Sequence, residues 1–321
     1  MSTLANAYGN FLFPALQRVQ GSVQTPYGTL LQPASRVAAY VRSGGQQDGD
    51  DTFVRNNLVQ TLNQALARCR AGLGDVVYVL SDHAEDIDAA DKMSNLVAGT
   101  KIIGVGSGAL RPTFTWTAAA ASWLFDVANV TLSNCILKLA DAGNAGVTVI
   151  APITISAAGC FIAGCDIFFG ADANDDVTIG INTTAAADDC GLIGCDCFGV
   201  TAAECTTFLR LVGADRFRLE GCTIQGATGS TTVGVIQFLT TASLQVLIAN
   251  SVFINYKALS VHAATGMAAA TGIVSNCGFG ILDTATLGGF ETEGSLQFFN
   301  CTTANLAGEN SGAKTPQSTT T

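Results

Sequence analysis

"VTLSNCIL", residues 130–137, decides the fold, because versions of it recur along the chain. Each copy has alternating apolar residues, then Asn or Gly, and then a small residue that is usually Cys. This last residue marks seven copies, at Cys135, Cys165, Cys195, Cys222, Ser251, Cys277 and Cys301. By subtraction the spacings are 30, 30, 27, 29, 26 and 24 residues. We take Val105, 30 residues before Cys135 and preceded by Gly104, as an eighth marker. Such a period is typical of solenoids, propellers and other repeat arrays.

A second short alternating run precedes most of the markers. Examples are "WLFDV" (123–127), "ITIS" (153–156), "VTIGI" (177–181), "FLRLV" (208–212), "VIQFL" (235–239) and "LSVHA" (259–263). Each repeat therefore holds two or three short strands and shows no helical period, which excludes helical repeats. A propeller blade needs four strands and about 40 residues, more than this period provides. The pattern predicts a parallel β-helix in which each repeat forms one coil.

Coil stacking explains the marker. Successive coils of a β-helix lie about 4.8 Å apart, so equivalent residues form ladders. Gly tolerates the bend between two strands through positive φ, and Asn is the next best residue. A small buried residue then fits the inward position after the bend, and Ser251 in this position favours an explanation by size over one by redox chemistry. Cys195 and Cys197 should share one face of a strand and both point inward.

The eleven cysteines allow three interpretations. A disulfide ladder is disfavoured because stacked side chains point the same way rather than towards each other. A structural zinc site is disfavoured because the chain has two histidines and no Cys pair separated by two residues. We therefore expect free thiols and no bound metal or other cofactor.

Composition limits the partners. Only 12% of the residues are charged, and the net charge is −10, which opposes binding to nucleic-acid phosphates. No run of about 18 apolar residues indicates a membrane span, and the first residues do not resemble an export signal. We expect synthesis in a reducing cytoplasm and neither nucleic acid nor membrane as a partner.

The two ends of the chain differ from the repeats. In residues 53–70, apolar residues at helical spacing predict one amphipathic helix of about five turns, placed to cap the open end of the β-helix. Residues 1–45 are predicted to be an extended arm, 46–303 the capped β-helix, and 304–321 a polar tail. The arm residues expected to bind a partner are Phe11, Phe13, Pro14, Leu16, Tyr27, Leu30 and Leu31.

Three polar segments are weighed as sites. "SDHAEDID" (81–88) has the composition of a metal or acid/base site, but a solvated turn is the favoured interpretation. "DANDD" (172–176) has oxygen ligands for a hard cation but lacks the Gly and Glu of a calcium loop, so a charged loop is favoured. "GVGSG" (104–108) precedes no predicted helix and is interpreted as a turn.

Asp166 and Asp196 form the best enzymatic candidate. They follow successive markers and should stack about 4.8 Å apart on the outer face. Arg210, Arg216 and Arg218 lie in the next coil, and Arg218 is the candidate base. Two surface aspartates after a turn are also common without catalysis, so we expect no enzyme activity and keep Asp166, Asp196 and Arg218 as weak catalytic candidates.

The order of "GLGDVVYVLSDHAED" (72–86), "KIIGVGSGALRPTFTW" (101–116) and the strand coils resembles β-helix virion proteins of tailed bacteriophages, over about residues 50–300. The resemblance implies the right-handed pectate-lyase-like fold and a homotrimer. No catalytic motif of the lyases carries over. Receptor-degrading tailspikes of this fold are usually much longer and have a separate trimerisation region.

These features together predict a structural virion protein on the outer surface of the particle. We expect a capsid decoration or cement protein that binds the major capsid protein or other virion proteins through its arm. The alternative is a tail-associated protein that binds a receptor, such as a surface glycan, or degrades a polysaccharide.

Overall fold

The structure is a computed structural model. It describes residues 17–19, 22–25, 28–31, 36–48, 50, 52–139, 148–169, 176–198, 205–226, 235–239, 241–255, 270–281 and 295–305. Among the predicted arm residues, Phe11, Phe13, Pro14, Leu16 and Tyr27 lie outside this set, as do 172–175 of the acidic segment and 259–263 of the last strand run. The polar tail is described only in its first two residues.

Three sheets of parallel strands build the body of the protein. Sheet I has eleven strands: β4 (Val37–Val41), β5 (Leu58–Val59), β6 (Val76–Val79), β8 (Lys101–Gly104), β11 (Thr131–Ser133), β15 (Phe161–Ala163), β18 (Gly191–Ile193), β21 (Arg218–Glu220), β24 (Val246–Ala249), β26 (Thr271–Ser275) and β28 (Ser295–Phe299). Sheet II has nine: β7 (Ala84–Ile87), β9 (Thr113–Trp116), β12 (Ile136–Leu139), β16 (Asp166–Phe168), β19 (Asp196–Phe198), β22 (Thr223–Gly226), β25 (Val252–Asn255), β27 (Gly278–Ile281) and β29 (Thr302–Asn305). Sheet III has six: β10 (Trp123–Phe125), β13 (Thr148–Val149), β14 (Ile153–Ile155), β17 (Asp176–Thr183), β20 (Cys205–Leu211) and β23 (Ile236–Phe238).

From β8 to β24 the chain visits the sheets in the order I, II, III and then returns to sheet I one rung further along, whereas the described strands before and after this part alternate between sheets I and II from β6 onward. Leu132, for example, pairs with Ile102 of the coil before and Ile162 of the coil after. This topology is that of a β-solenoid and confirms the predicted parallel β-helix; its right-handedness stays a prediction. The runs beginning at Trp123, Ile153 and Val177 form the third strand of their coils, as the repeat pattern predicted.

One continuous apolar core fills the solenoid. Along each strand alternate side chains are buried, so Leu132 of sheet I, Leu137 of sheet II and Phe125 of sheet III all point inward from one region of the solenoid. Trp116 and Trp123 pack edge to face at 5.1 Å between ring centroids near the N-terminal end. The core thus follows from the period-two pattern of each strand run.

The N-terminal end differs from the prediction of one helix over 53–70. Two short helices form instead, α1 (Thr52–Asn57) and α2 (Leu62–Leu66), and β5 lies between them, paired with β4. Thr61 starts α2 with a capping box: its hydroxyl accepts the N–H of Gln64, and the Gln64 side chain accepts the N–H of Thr61. The reason for the error is that backbone pairing on the edge of sheet I interrupts the helical pattern, and the T-x-x-Q signal of a new helix start lay inside the predicted helix.

The solenoid begins earlier than residue 46. Strand β4, within the segment predicted as arm, pairs with both β5 and β6 in sheet I, and α2 packs Leu62, Ala65 and Leu66 against this end of the core. Ahead of it, β1 (Gln17–Val19), β2 (Ser22–Thr25) and β3 (Gly28–Leu31) form a small antiparallel sheet, and Leu30 and Leu31 lie on β3. An attachment segment separate from the solenoid must therefore end before Arg36.

Candidate functional site

The repeated marker is a corner between sheets I and II. The residue before each marker has a positive φ between 49° and 63°, at Asn134, Gly164, Gly194, Gly221, Asn250, Asn276 and Asn300. The marker side chains that follow are buried. Both parts of the prediction, a left-handed bend and an inward small residue, are confirmed.

The coil that begins with β8 departs from the extrapolated pattern. Val105 is only half-buried, and Gly104 does not have a positive φ. Because Ile136 pairs with Thr113, the buried Pro112 occupies the rung below Cys135, and residues 105–111 form an inserted loop with one 3₁₀ turn at Gly108–Leu110. The identification of Val105 as the eighth marker was therefore wrong, because a loop is inserted before the corner. The segment "GVGSG" leads into this loop.

The marker side chains do more than fill space. The thiol of Cys222 lies 3.5 Å from the carbonyl oxygens of Glu220 in its own coil and Leu192 in the previous coil. The backbone N–H of Cys135 points at the sulfur of Cys165, with a nitrogen to sulfur distance of 3.5 Å. The sulfur of Cys165 thus accepts a backbone N–H, while the thiol of Cys222 adds a weak hydrogen bond to the Glu220 carbonyl, which also accepts the N–H of Gly194 at 2.8 Å.

All eleven cysteines are free in the structure, as expected. Cys195 and Cys197 are both buried, and Asp196 between them is exposed, so their predicted inward orientation is confirmed. Burial raises the pKa of the Cys135 and Cys197 thiols well above the ordinary value. Since the thiolate is the reactive form, the burial of Cys135 and Cys197 and their raised pKa disfavour reaction of these two thiols in the folded protein.

Asp166 and Asp196 stack on neighbouring rungs of sheet II, as predicted. Arg111, from the inserted loop, forms an ion pair with Asp166 and donates a second hydrogen bond to the carbonyl of Gly164 at 3.4 Å. The two carboxylates stand side by side on one face, whereas glycoside hydrolysis needs carboxyl groups on opposite sides of the bond that is cleaved. Sequence reasoning missed Arg111 because it lies 55 residues from Asp166.

Arg218 does not join this pair. Arg218 lies on β21 of sheet I. Asp196 lies on sheet II, where its partner in the next coil is Thr223 rather than Arg218. Arg210 lies on sheet III, where its Nε donates to the Asn182 side chain at 2.8 Å. The candidate residues Arg218, Asp196 and Arg210 thus lie on sheets I, II and III, respectively.

The polar segment 81–88 ties the N-terminal cap to the solenoid. His83 is buried; its Nδ1 accepts the N–H of Ser43 at 2.9 Å, so Nε2 carries the proton and donates to Glu85 at 3.0 Å. The same Glu85 oxygen accepts the N–H of Leu62, the first residue of α2, at 2.8 Å. The prediction of a solvated turn holds for Ser81 and Asp82 only, because residues 84–87 form β7 of sheet II, and His83 and Glu85 make structural contacts. Within the described part of the chain, no cluster of three or more His, Cys, Asp or Glu has a metal-binding arrangement.

A groove on the outside of sheet I is the candidate binding site. It has a volume of about 660 Å³ and crosses five successive rungs, from Asp189 ahead of β18 to Gln297 on β28. Five such rungs span about 19 Å. Its chemistry comes from Arg216, Arg218, Gln245 and Thr271, and its apolar surface from Leu247 and Ile273.

A second left-handed corner, between sheets III and I, forms one wall of this groove. Positive φ values between 55° and 72° recur there at Asn129, Gly159, Asp189, Arg216 and Gln245. Arg216 binds Asp189 through two hydrogen bonds of 2.6 and 2.8 Å, and this pairing lowers the pKa of the Asp189 carboxyl. The sequence contained a signal for this corner in Asn129 and Gly159, 30 residues apart, but Arg and Gln at the later positions obscure it.

Comparisons with known proteins give no family. No protein-family model matches the chain, and no curated protein matches it. Among solved structures, the chain is similar to ORF18 of Geobacillus virus E2, with a TM-score of 0.31 and 12% sequence identity over 83% of this chain. The chain spans 60% of that structure's length, and a similarity at this level carries no conclusion about function. In the described residues, no helix is long and apolar enough to cross a membrane.

Proposed function

We propose that this chain is a structural protein of a tailed-bacteriophage virion. In this proposal it is a capsid decoration or cement protein, which attaches through the segment before Arg36 and presents the β-solenoid on the outer surface of the particle. Its partners are the major capsid protein or other virion proteins, and it acts as a homotrimer. The resemblance of residues 50–300 to phage β-helix virion proteins motivates the setting.

The placement of Asp166 carries the structural role. Its carboxylate is ion-paired with Arg111, and Asp196 lies beside it on the same face rather than across a cleft. His83 and Glu85, the other candidates for acid/base chemistry, hold the cap to the first coils. These contacts of Asp166, His83 and Glu85 stabilise the solenoid.

Attachment is tested by deleting residues 1–35, which leaves β4 in place. The shortened chain should keep the β-rich circular dichroism spectrum and melting temperature of the full chain but should no longer sediment with particles that the full chain decorates. Retained sedimentation with the particles would overturn the proposed attachment segment. Immunogold labelling of intact particles with antibodies against the solenoid distinguishes capsid from tail.

The groove on sheet I favours a second candidate function, a tail-associated protein that binds a receptor glycan or degrades a polysaccharide. Sugar release from host capsule or lipopolysaccharide by the purified protein, abolished by Asp196→Ala, would refute the structural role. Labelling confined to the tail would favour this second candidate even without sugar release.

A further inference from the structure

The groove on sheet I contains a cation, Arg218, which lies within electrostatic reach of Asp189 but forms no ion pair with it. Arg218 points outward from β21 and is exposed. The nearest carboxylate in the groove, Asp189, already accepts two hydrogen bonds from Arg216. No ion pair or hydrogen bond joins the Arg218 guanidinium to a residue that the structure describes. The net charge of −10 opposes anionic partners over most of the surface, so the exposed Arg218 guanidinium is a local exception that can bind an anionic group.

The rungs beyond Arg218 combine neutral polar groups with a small apolar surface. In register with Arg218 along the outer face of sheet I stand Leu247, Ile273 and Gln297. Ile273 is 43% exposed, so its side chain is available to a ligand. Gln245 and Gln297 contribute amide groups, which both donate and accept hydrogen bonds.

The wall of the groove is built at a conformational cost. Arg216 and Gln245 have φ values of 55° and 58°, at a corner where earlier coils use Asn129 and Gly159. A left-handed conformation costs a residue with a side chain about 1–2 kcal/mol relative to Gly. The long polar side chains at these positions place a guanidinium and an amide beside the groove, which Gly would not do. Such strain tends to concentrate at functional sites.

A peptide strand has no place to add here. The central strands β21, β24 and β26 each pair with a strand on both sides, so their backbone groups are used within sheet I. Recognition in the groove must therefore use side chains: one guanidinium, amides, a hydroxyl and aliphatic carbons. This set matches a ligand that is rich in hydroxyl groups, carries negative charge and extends along the solenoid axis.

We propose that the groove binds an acidic glycan, with Arg218 on a carboxylate or phosphate group of the sugar chain. The planar guanidinium suits such groups because it donates two parallel hydrogen bonds. Gln245 and Gln297 bind sugar hydroxyls, and Leu247 and Ile273 contact the apolar face of a sugar ring. This inference rests on the glycan-binding form of the second candidate function and specifies its ligand class. It is tested on the isolated protein, so it can fail without affecting the proposed particle attachment.

Isothermal titration of the full chain at low salt tests the site with four probes. An alginate hexasaccharide supplies carboxylates, a phosphorylated maltohexaose supplies phosphates, unmodified maltohexaose is a neutral sugar, and hexaglutamate is an acidic peptide. At least one of the two anionic sugar-type polymers should bind, and more tightly than maltohexaose and hexaglutamate. The better of the two identifies the anionic group.

Arg218→Ala should weaken that binding roughly 10- to 100-fold, the effect of losing a charged hydrogen-bond donor. Arg218→Lys should lose less because it keeps the charge. Lys138→Ala, an exposed residue on sheet II, removes the same charge elsewhere and should bind like the native protein. Unchanged circular dichroism of each variant shows that the fold is retained. Absence of binding to both anionic polymers, equal binding of hexaglutamate or maltohexaose, or equal effects of Arg218→Ala and Lys138→Ala would overturn the proposal.

Discussion

The hydroxyl of Ser251 accepts a hydrogen bond from the backbone N–H of Cys222, one coil earlier, over 3.2 Å. It donates to the carbonyl of Ala249 at 2.8 Å. Cys165 relates to Cys135 and Ala163 in the same way, with a thiol in place of the hydroxyl. The inward corner position therefore selects a small side chain that both donates and accepts, and cysteine is one of two solutions.

Replacing Ser251 tests this requirement. Ser251→Cys should leave the free energy of unfolding within about 0.5 kcal/mol of the native value, because surface area and hydrogen-bonding roles are kept. Ser251→Ala should lower it by about 1–3 kcal/mol, since the buried N–H of Cys222 loses its acceptor. Urea denaturation followed by circular dichroism measures both. Equal stability of Ser251→Ala and the native chain would show that size alone matters.

Two glycines at the ends of sheet I strands, Gly104 in β8 and Gly164 after β15, should respond differently to substitution. A Cβ at Gly104 would clash with the backbone carbonyl oxygen of Asn134, so Gly104→Ala should destabilise the protein by about 1–3 kcal/mol or more. Gly164 has φ 57° and open space around it, and Asn134 has nearly the same φ of 56°. Gly164→Asn should therefore change the melting temperature little. A melting temperature for Gly104→Ala equal to that of the native chain would contradict the close approach of the two coils.

Asp75 should make stability depend on pH below neutrality. Its carboxylate is fully buried; burial alone would raise its pKa, but hydrogen bonds from Arg70 and Arg36 lower the pKa to about 2. Because the unfolded value is about 3.9, the stabilisation is complete above pH 5 and is lost as the pH falls towards 2. The loss from this group should be on the order of 1–2 kcal/mol.

Unfolding free energies from pH 6 to pH 2 check this expectation. Asp75→Asn should be less stable than the native chain above pH 5, and the difference should shrink as the pH falls. Asp88→Asn, at an exposed carboxylate paired with Lys92, is the matched control and should show a much smaller difference. Parallel curves for Asp75→Asn and the native chain would contradict the assignment.

The thiols should be unreactive in the folded protein. Ten are buried, and burial raises the pKa of the half-buried Cys69 to about 11. Ellman's reagent at pH 8 should therefore label native protein slowly, and in denaturant without reductant it should label all eleven. Rapid labelling of several thiols in the native state would contradict the burial, and fewer than eleven labelled thiols in denaturant would indicate disulfides.

The repeat was readable from the sequence because strand alternation and left-handed corners are local properties. Asn134 and Gly164 indicate the bend because Asn and Gly favour positive φ. The spacing between them predicts the register of the stacked coils. The inward positions of Cys195 and Cys197 follow from period two alone.

The remaining features depend on contacts between distant residues. Leu58 and Val59 fit a helical pattern, yet an open edge of sheet I pairs with them. Arg111 contacts Asp166 because the coil that begins with β8 contains an inserted loop. The same loop is the reason why Val105 is not a marker. Arg218 and Asp196 are close in sequence number, but a corner turns them to different faces.

The corners also make the solenoid divisible. Gly164–Cys165–Asp166 and Gly194–Cys195–Asp196 have the same residues, backbone conformation and place in their coils. Removing residues 165–194 would join Gly164 directly to Cys195 and recreate the same corner. The product would be a rod shorter by one rung, about 4.8 Å, with its ladders in register. The length of this solenoid is therefore set by its number of coils, and it can be changed by whole coils without redesign of the core.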